Sequence, residues 1–333
     1  MAVYTQVPDL ELARFVASHG LGQLHSCKGI AEGVENTNYL IESDTGRYVL
    51  TLYEKRVDPA DLPFYLGLME HLAAKGIACP VLVRDTAGRQ IATLAGRPAA
   101  ICTFLDGMSV KQPSAQHCAH VGEALARMHL AGSDYPLSRA NALGPAGWQP
   151  LYDRFAARAD EIQPGLAHLI DSELAHLVPN WPRGLPAGVI HADLFPDNVF
   201  FLANKLSGVI DFYFACNDLF AYDIAVCINA WCFDAGHRFE RARCEALLAG
   251  YQRSRRLEPG EVHALPVLAR GAALRFLLTR AHDWLTTPAD AIVKPHNPND
   301  YVERIRQHRE MTEPNAYGLG ADGWGADGPE TPR

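Results

Sequence analysis

One short polar string, HADLFPDN at residues 191–198, lies between two apolar runs that are typical of β-structure. It contains His191, Asp193 and Asn198, and the next apolar run ends in VIDF with Asp211. A carboxylate such as Asp193 can orient a hydroxyl and accept its proton, whereas Asn198 and Asp211 offer hard oxygen ligands that suit Mg²⁺. This order of residues is typical of the catalytic and metal-binding segment of phosphoryl-transfer enzymes.

Each of these residues also has a structural explanation. Aspartates such as Asp193 and Asp197 form Asx-turns, a histidine can satisfy a buried carbonyl, and a carboxylate can close the end of a strand. Pro196 stiffens the turn, and a polar loop on a rigid framework is where proteins usually display chemistry. The combined order of the residues favours the functional explanation over several unrelated structural ones.

The composition indicates a soluble protein with more than one lobe. Its 333 residues exceed the usual size of a single-core domain, and 48% of them are hydrophobic. The net charge of −8 disfavours nucleic acid as a partner, because nucleic-acid binders usually present a basic face. We expect neither secretion nor membrane association, since there is no signal-peptide pattern and no sufficiently long apolar run. Eight cysteines without a CxxC pair suit a reducing cytoplasm.

The first hundred residues predict a β-rich lobe in the order helix, two strands, helix, three strands. The first two strands are CKGIAEGVENTNYLIES and GRYVLTLYE, which a turn at residues 44–46 joins in a hairpin. The second helix, DLPFYLGLMEHLAAKG, is amphipathic. Its buried face would comprise Leu62, Tyr65, Leu66, Met69 and Leu72.

The chain after residue 107 is mostly helical. The predicted helices include CAHVGEALARMHLAG, LYDRFAARADEI, RFERARCEALLAGYQR and LPVLARGAALRFLLTRAHDWL. Around the polar string, AGVIH predicts a short β-element, and VFFL and SGVIDF predict a hairpin. The segment from 311 to 333 is rich in Gly, Pro and acidic residues, and we expect it to be disordered.

HADLFPDN followed by VIDF resembles the catalytic motif of the aminoglycoside phosphotransferase and choline kinase superfamily, which is related to protein kinases. GVENTNY, ALARMH and YDIAVCINAWC are similar to other segments of that superfamily, and the resemblance covers about residues 8–310. Several strings, including YVLTLYEKR and IDFYFACNDLFAYDIAVCINAWC, look most like the bacterial ATP-dependent homoserine kinase subgroup.

The resemblance implies an α+β, bilobal, protein-kinase-like fold. It implies a small antiparallel β-sheet lobe for nucleotide binding at residues 1–104 and a larger, mainly helical lobe at 105–310 that holds catalysis and substrate binding. It also implies ATP and Mg²⁺ as cofactors and a small-molecule acceptor, L-homoserine in that subgroup. The oligomeric state stays open.

The resemblance also assigns roles to individual residues. It makes Asp193 the base, Asn198 and Asp211 the Mg²⁺ ligands, and His191 a catalytic-loop residue that we expect to support the loop by hydrogen bonds. ATP would meet the protein at two places, the phosphates at the first loop of the sheet and adenine at the end of the last strand. The candidates are Gly33, Asn36, Thr37 and Asn38 for the phosphates and Thr103 to Leu105 for adenine.

One departure from the superfamily pattern concerns its phosphate-contacting lysine. Thr51 occupies that position. Lys55 or Lys28 could replace the missing cation, although a solvated surface lysine is the better explanation of each. Glu70 lies too near the end of its helix for us to assign it as the usual glutamate partner. The missing lysine keeps a nucleotide-binding pseudokinase among the alternatives.

The acceptor leaves further alternatives open. Choline, methylthioribose, hydroxylysine and aminoglycosides are acceptors in the same superfamily. A homoserine pocket would need to hold an ammonium and a carboxylate near a primary hydroxyl. The residues that could contribute to it are Arg275, Arg280, His282, Asp283, Trp284, Asn141, Asn217 and Asp223. A metal pair of His117 and His120 is disfavoured, because nothing completes a zinc set.

Overall fold

The computed structural model of the protein describes residues 5–30, 36–54, 58–288 and 294–320. Gly33 and Lys55 lie outside these described residues, as do the predicted tail residues after 320. The described chain divides into two units. The first comprises residues up to Gly107 together with Ser207–Tyr213, and the second comprises Met108–Leu206 and the described residues after Tyr213. Ser207–Tyr213, which we assigned to the C-terminal lobe, thus clusters with the first unit.

The first unit contains one antiparallel sheet and two helices. Its strands are β1 (Leu24–Gly29), β2 (Thr37–Ser43), β3 (Gly46–Leu52), β4 (Leu82–Val83), β5 (Ala92–Leu94) and β6 (Arg97–Thr103). The path through the sheet is β1-β2-β3-β6-β4, and β5 also pairs with β6. The long first β-run predicted from the sequence contains two strands, β1 and β2, which pair antiparallel with Leu24 opposite Ser43 and Gly29 opposite Tyr39.

One face of this sheet packs on helix α1 (Asp9–Ser18). Alternate residues of the strands point to the same face, so Leu50 and Leu52 of β3 reach this core with Ile41 of β2, and all three are fully buried. Thr51 must therefore point to the opposite face of the sheet. The predicted hairpin of β2 and β3 is confirmed, since Ser43 pairs with Gly46.

Helix α2 spans Leu62–Ala74 and has the predicted buried face. Leu62, Tyr65, Leu66 and Leu72 are at most 3% exposed, and Met69 is 9% exposed. Gly76 follows the helix with φ of +80°, a left-handed conformation that glycine adopts without a Cβ penalty. The helical period of the apolar residues thus predicted both the element and the face it buries.

The second unit is mainly helical. Its helices are α3 (Ala115–Ala131), α4 (Pro145–Asp153), α5 (Leu166–Asn180), α6 (Phe220–Trp231), α7 (Arg241–Gln252), α8 (Pro259–Thr286) and α9 (Asn299–Glu310). Strand β7 (Ala187–Ile190) pairs antiparallel with β10 (Cys216–Leu219), and β8 (Val199–Leu202) pairs with β9 (Lys205–Val209). The β8–β9 hairpin was predicted, whereas β10 was not.

Helix α8 is the centre of this helical unit. It packs against α4, α5, α6 and α9, and most of its apolar residues are fully buried. Among the described residues it is the one helix long and apolar enough to cross a membrane, but 72% of that apolar stretch is buried inside the protein. Its apolar composition is thus explained by its place in the core.

The residues directly after α9 are ordered, which corrects the prediction of a disordered tail from residue 311. A short 3₁₀ helix spans Pro314–Tyr317, and Tyr317 and Leu319 are at most 2% exposed. The Tyr317 hydroxyl lies 2.8 Å from Nδ1 of the buried His308. Composition favoured disorder here, but two apolar side chains find places in the helical core and hold the segment.

Candidate active site

The polar string begins where β7 ends. β7 pairs with β10, which places Ile190 opposite Cys216, and both side chains are at most 1% exposed. The chain then turns sharply, since Ala192 has φ of +61°. A non-glycine residue in this left-handed region costs about 1 to 2 kcal/mol, so the surrounding contacts must hold it there.

Asp223 supplies that support from helix α6. Its Oδ2 accepts the His191 N–H and its Oδ1 accepts the Ala192 N–H, both at 2.8 Å. Asp223 is fully buried. Two charge-assisted hydrogen bonds from one buried carboxylate therefore fix two consecutive amides of the loop. Asp223 thus supports the candidate catalytic loop, which is the role that the superfamily resemblance favours for it over a contact with the acceptor.

Asp223 is in turn positioned by His129 of α3. His129 Nε2 lies 3.1 Å from Asp223 Oδ2, and its Nδ1 lies 2.8 Å from the Tyr251 hydroxyl. Burial acts to raise the pKa of Asp223, but hydrogen bonding and charge from His129 and His191 outweigh it, so the pKa lies below its usual value. The carboxylate therefore stays ionised and continues to accept hydrogen bonds from the two loop amides.

Asp193 and Asn198 are brought together by the turn between them. Asn198 Nδ2 donates to the Asp193 carbonyl at 2.8 Å and lies 3.4 Å from its carboxylate Oδ2. The Asn198 N–H donates to Phe195 O, and the Trp231 indole donates to Leu194 O at 2.7 Å. These bonds hold the two predicted functional side chains in one compact turn.

Arg275 of α8 is the cation that contacts Asp193. Its Nη1 lies 3.3 Å from Asp193 Oδ1 and 3.2 Å from the Ala192 carbonyl, and the residue is only 4% exposed. Burial raises the pKa of Asp193, and the charges of Arg275 and His191 partly oppose that rise. The carboxylate is thus a stronger proton acceptor than an ordinary aspartate, a property that suits a candidate general base.

His191 has a supporting position. Its ring is buried, and its Nδ1 accepts a hydrogen bond from the Asp193 N–H at 3.3 Å. The backbone N–H of the same residue is already fixed by Asp223. His191 thus bonds within the loop through both its ring and its backbone.

Asp211 follows β9 and belongs to the first unit. It has φ of +66°, a conformation that is uncommon for residues with a side chain, although aspartate and asparagine adopt it more readily than others. Two residues later, Tyr213 packs edge-on against Tyr53 and Tyr65 at ring-centre distances of 5.9 Å. Aromatic packing within the first unit thus holds the segment that follows Asp211.

The phosphate-side candidates occupy different environments. Asn36 is buried, and its Oδ1 accepts the Glu54 N–H. Thr37 is fully buried, and its hydroxyl donates to Glu54 Oε1 and accepts the Thr5 N–H. Asn38 is half-buried, and its Oδ1 accepts from the Thr51 hydroxyl at 2.8 Å. Of the described candidates, Asn38 has the most accessible side chain.

Thr103 and Leu105 lie at and just beyond the end of β6. Thr103 is committed to Val81, since its N–H donates to Val81 O and its hydroxyl accepts the Val81 N–H. The backbone groups of Leu105 make no hydrogen bond within the described parts of the chain. The Leu105 side chain packs over Gly208, where a Cβ would come within 2.6 Å of it.

Thr51 faces the side of the sheet opposite α1, where it is 7% exposed and bonded to Asn38. Of the two proposed substitute cations, Lys28 is exposed on β1 and Lys55 lies outside the described residues. Glu70 pairs with Arg84 at 2.8 Å and accepts from Gln90. Glu70 therefore makes a surface ion pair, in agreement with its omission from the catalytic set.

Several proposed acceptor residues are engaged elsewhere in the second unit. Asn141 Nδ2 donates to Asp218, and Asn217 Oδ1 accepts the Arg139 N–H. His117 caps its own helix through Ser114, and the described residues contain no group of three or more metal-ligating side chains. From the sequence, we grouped Arg275 with the acceptor pocket, whereas in the structure it contacts Asp193. The sequence feature that could have indicated this buried position is an arginine among the apolar residues of α8.

The chain resembles known proteins over most of its length. Residues 26–257 match the family model described as "Phosphotransferase enzyme family". Proteins named homoserine kinase from Parvibaculum lavamentivorans and Azorhizobium caulinodans are 56% and 57% identical over 321 residues, which cover 96% of this chain and 100% of each relative.

Two solved structures share the fold at low sequence identity. An amicoumacin kinase in complex with AMP-PNP and Ca²⁺ has a TM-score of 0.66 at 15% identity and covers 92% of this chain and 95% of its own. A spectinomycin phosphotransferase in complex with ADP has a TM-score of 0.67 at 14% identity, covering 93% and 96%. With the antiparallel sheet and the helical second unit, they confirm the predicted α+β, protein-kinase-like fold.

Proposed function

This chain belongs to the phosphotransferase enzyme family, and we propose that it is an ATP-dependent kinase that phosphorylates the side-chain hydroxyl of L-homoserine. The observation that supports the acceptor most strongly is the identity of 56% to homoserine kinases over their whole length. The products would be O-phospho-L-homoserine and ADP, which places the reaction in threonine biosynthesis. A cytoplasmic location suits a reaction that consumes ATP.

Asp193 is the proposed base. In the reaction the homoserine hydroxyl oxygen bonds to the γ-phosphorus, the bond from that phosphorus to the β–γ bridging oxygen breaks, and the hydroxyl proton passes to the Asp193 carboxylate. Arg275 and the Asn198 amide hold that carboxylate in one orientation. Catalysis would rest mainly on positioning, as in other phosphoryl transfers.

The residues present fit a magnesium site. Because Asn198 Nδ2 is used for the Asp193 carbonyl, its Oδ1 is the atom left to bind a cation. Asp211 offers carboxylate oxygens, the other ligand type that Mg²⁺ prefers. When bound, Mg²⁺ would neutralise charge on the phosphate oxygens. We propose Asn198 and Asp211 as its ligands.

ATP would be held mainly by backbone groups of the first unit. The N–H and C=O of Leu105 make no internal hydrogen bond in the described chain, so they suit the adenine edge. Asn38 is the best-placed described side chain for the phosphates, and Gly33 remains a proposed contact outside the described residues. Thr37 and Thr103 would shape the ATP site by their positions and would not donate to ATP, because their hydroxyls and the Thr103 N–H are already bonded within the sheet unit.

The test is ADP release from Mg·ATP with L-homoserine, choline, methylthioribose and hydroxylysine as separate acceptors. We expect turnover with L-homoserine at least tenfold above the others in kcat/KM, since a site built for its polar groups rejects analogues that lack them. Preference for another acceptor would mean that the chain is a kinase of that acceptor within the same family. ATP binding without any turnover would support the pseudokinase alternative.

Asp193→Asn provides the matched variant. It keeps the size of the side chain but removes the proton acceptor, and we expect kcat to fall by about 10² to 10⁴ while the affinity for ATP stays unchanged. The measurement is ADP release together with calorimetric titration of a nonhydrolysable ATP analogue. Full turnover in this variant would mean that another group is the base.

A further inference from the structure

A charged cluster in the second unit, formed by residues of α8 and α9 and by a histidine between α6 and α7, plays no part in holding the catalytic loop. It consists of Arg280, Asp300 and His237, and we call it the Arg280–Asp300 cluster. Arg280 Nη1 donates to Asp300 Oδ2 at 3.0 Å, and His237 Nε2 lies 3.2 Å from Asp300 Oδ1. The side chains of Arg280 and Asp300 are 16% and 25% exposed, so both are largely desolvated and still reachable from solvent.

This cluster continues directly from the catalytic base. Arg275, which contacts Asp193, stacks on the Phe276 ring at 3.9 Å. Phe276 stacks on Tyr301 at 5.2 Å, and the Arg280 guanidinium lies 4.6 Å from the centre of the same Tyr301 ring. Arg275 and Arg280 are five residues apart on α8, which corresponds to a rise of about 7.5 Å along the helix axis. This distance is similar to the length of a small amino acid.

His296 links the two ends of this arrangement. Burial and the charge of Arg280 lower its pKa, whereas Asp197, Asp300 and Asp193 oppose that change. The imidazole therefore lies within electrostatic reach of the carboxylates of the catalytic turn and of the cluster.

The cluster retains hydrogen-bonding capacity. Arg280 uses Nη1 for Asp300 and the Asn297 carbonyl, while its Nε and Nη2 groups make no hydrogen bond within the described residues. The Tyr301 hydroxyl is fully buried and also has no hydrogen-bond partner there. Buried polar groups almost always have partners, so the unused N–H groups of the partly exposed Arg280 are suited to a bound polar molecule.

Arg275 does not have the same capacity. It is 4% exposed, and its Nη1 is shared between Ala192 O and Asp193. Using it to bind a substrate carboxylate would remove the cation that stabilises the ionised base. Arg280 is the next arginine along α8 and is the one that can engage a carboxylate with two N–H groups.

We propose that Arg280 binds the carboxylate of the amino-acid acceptor and Asp300 binds its ammonium, so that the hydroxyl reaches Asp193. This inference rests on the proposed kinase function and specifies which end of the acceptor each residue recognises. A zwitterion placed across an existing ion pair keeps both protein charges compensated. The cluster would thereby select amino-acid alcohols over simple alcohols.

The test uses three acceptors with the variants Arg280→Gln and Asp300→Asn. L-homoserine has both charged groups, 4-hydroxybutanoate lacks the ammonium, and 3-aminopropan-1-ol lacks the carboxylate. In Arg280→Gln we expect kcat/KM to fall about 10- to 100-fold for the two carboxylates and to stay within about threefold for the aminoalcohol. In Asp300→Asn we expect the same loss for the two amines and little change for 4-hydroxybutanoate.

Arg306→Gln is the matched control, because it breaks an exposed ion pair with Glu303 on the same helix α9. It should leave all three acceptors unchanged. If the analogues turn over too slowly, their inhibition constants against L-homoserine must show the same pattern. Equal losses for all three acceptors, or no loss, would overturn the inference. A wild-type enzyme that does not phosphorylate L-homoserine would instead overturn the proposed function.

Discussion

Two buried aspartates, Asp223 in the helical unit and Asp85 in the sheet unit, hold the backbone around them in contrasting ways. In the helical unit, Asp223 bonds to residues that are 31, 32 and 94 positions away in the chain. In the sheet unit, Asp85, which is also buried, bonds to Ala87 and Arg89, only two and four positions away. Long-range bonds tie the geometry of the catalytic turn to the packing of whole helices, whereas local bonds shape only a turn.

This difference separates the two tasks of a phosphotransferase. The catalytic base must keep one orientation toward a hydroxyl, and the helical unit provides this through buried carboxylates and Arg275. On its proposed nucleotide side, the sheet unit has Thr51 and Asn38 as a neutral hydrogen-bonded pair. We therefore expect charge changes in the helical unit to affect turnover far more than polar changes in the sheet.

The largest effect should follow Asp223→Asn. The amide offers one acceptor oxygen where the carboxylate serves His191, Ala192 and His129, so a buried N–H loses its partner. We expect the free energy of unfolding to fall by about 3 kcal/mol and kcat to fall at least about tenfold. Urea denaturation and ADP release provide the two measurements.

Asp85→Asn is the control for that comparison. Its side-chain oxygen can still accept the N–H groups of its own turn, so we expect a smaller loss of stability and unchanged turnover. Equal destabilisation by the two variants would contradict the distinction between long-range and local support.

A smaller effect should follow Arg275→Gln, and it should depend on pH. Asp193 must be ionised to act as a base, so activity is lost as the pH falls through its pKa. The positive charge of Arg275 lowers that pKa, and its removal should raise it. The acid limb of the kcat/KM profile should therefore move to higher pH, while His191, Asp197 and His296 remain as neighbouring titratable groups.

Arg275→Lys retains the charge and provides the control. Its acid limb should stay close to that of the wild type, even if the altered geometry lowers the rate. An unchanged acid limb in Arg275→Gln, or equal shifts in both variants, would show that Arg275 does not set the pKa of Asp193.

The same contrast explains what the sequence alone could predict. The HADLFPDN string, the α2 face and the β2–β3 hairpin depend on neighbouring residues or simple periodicity, and the sequence displays both. Strand β10 has only four residues and forms by pairing with β7, and the contact of Arg275 with Asp193 joins positions 82 apart. Such features depend on tertiary packing, which overrides local preference.

The smallest effect should follow Thr51→Val in the sheet unit. The variant keeps the β-branched shape and removes only the hydroxyl that donates to Asn38, so it should cost about 1 kcal/mol of stability. If Thr51 only orders Asn38 within the sheet, KM for ATP should change by less than about threefold. A large rise in KM for ATP would instead mean that this hydroxyl takes over part of the role of the missing lysine. In that case a single side chain would determine ligand binding in the sheet unit, as we propose for the helical unit.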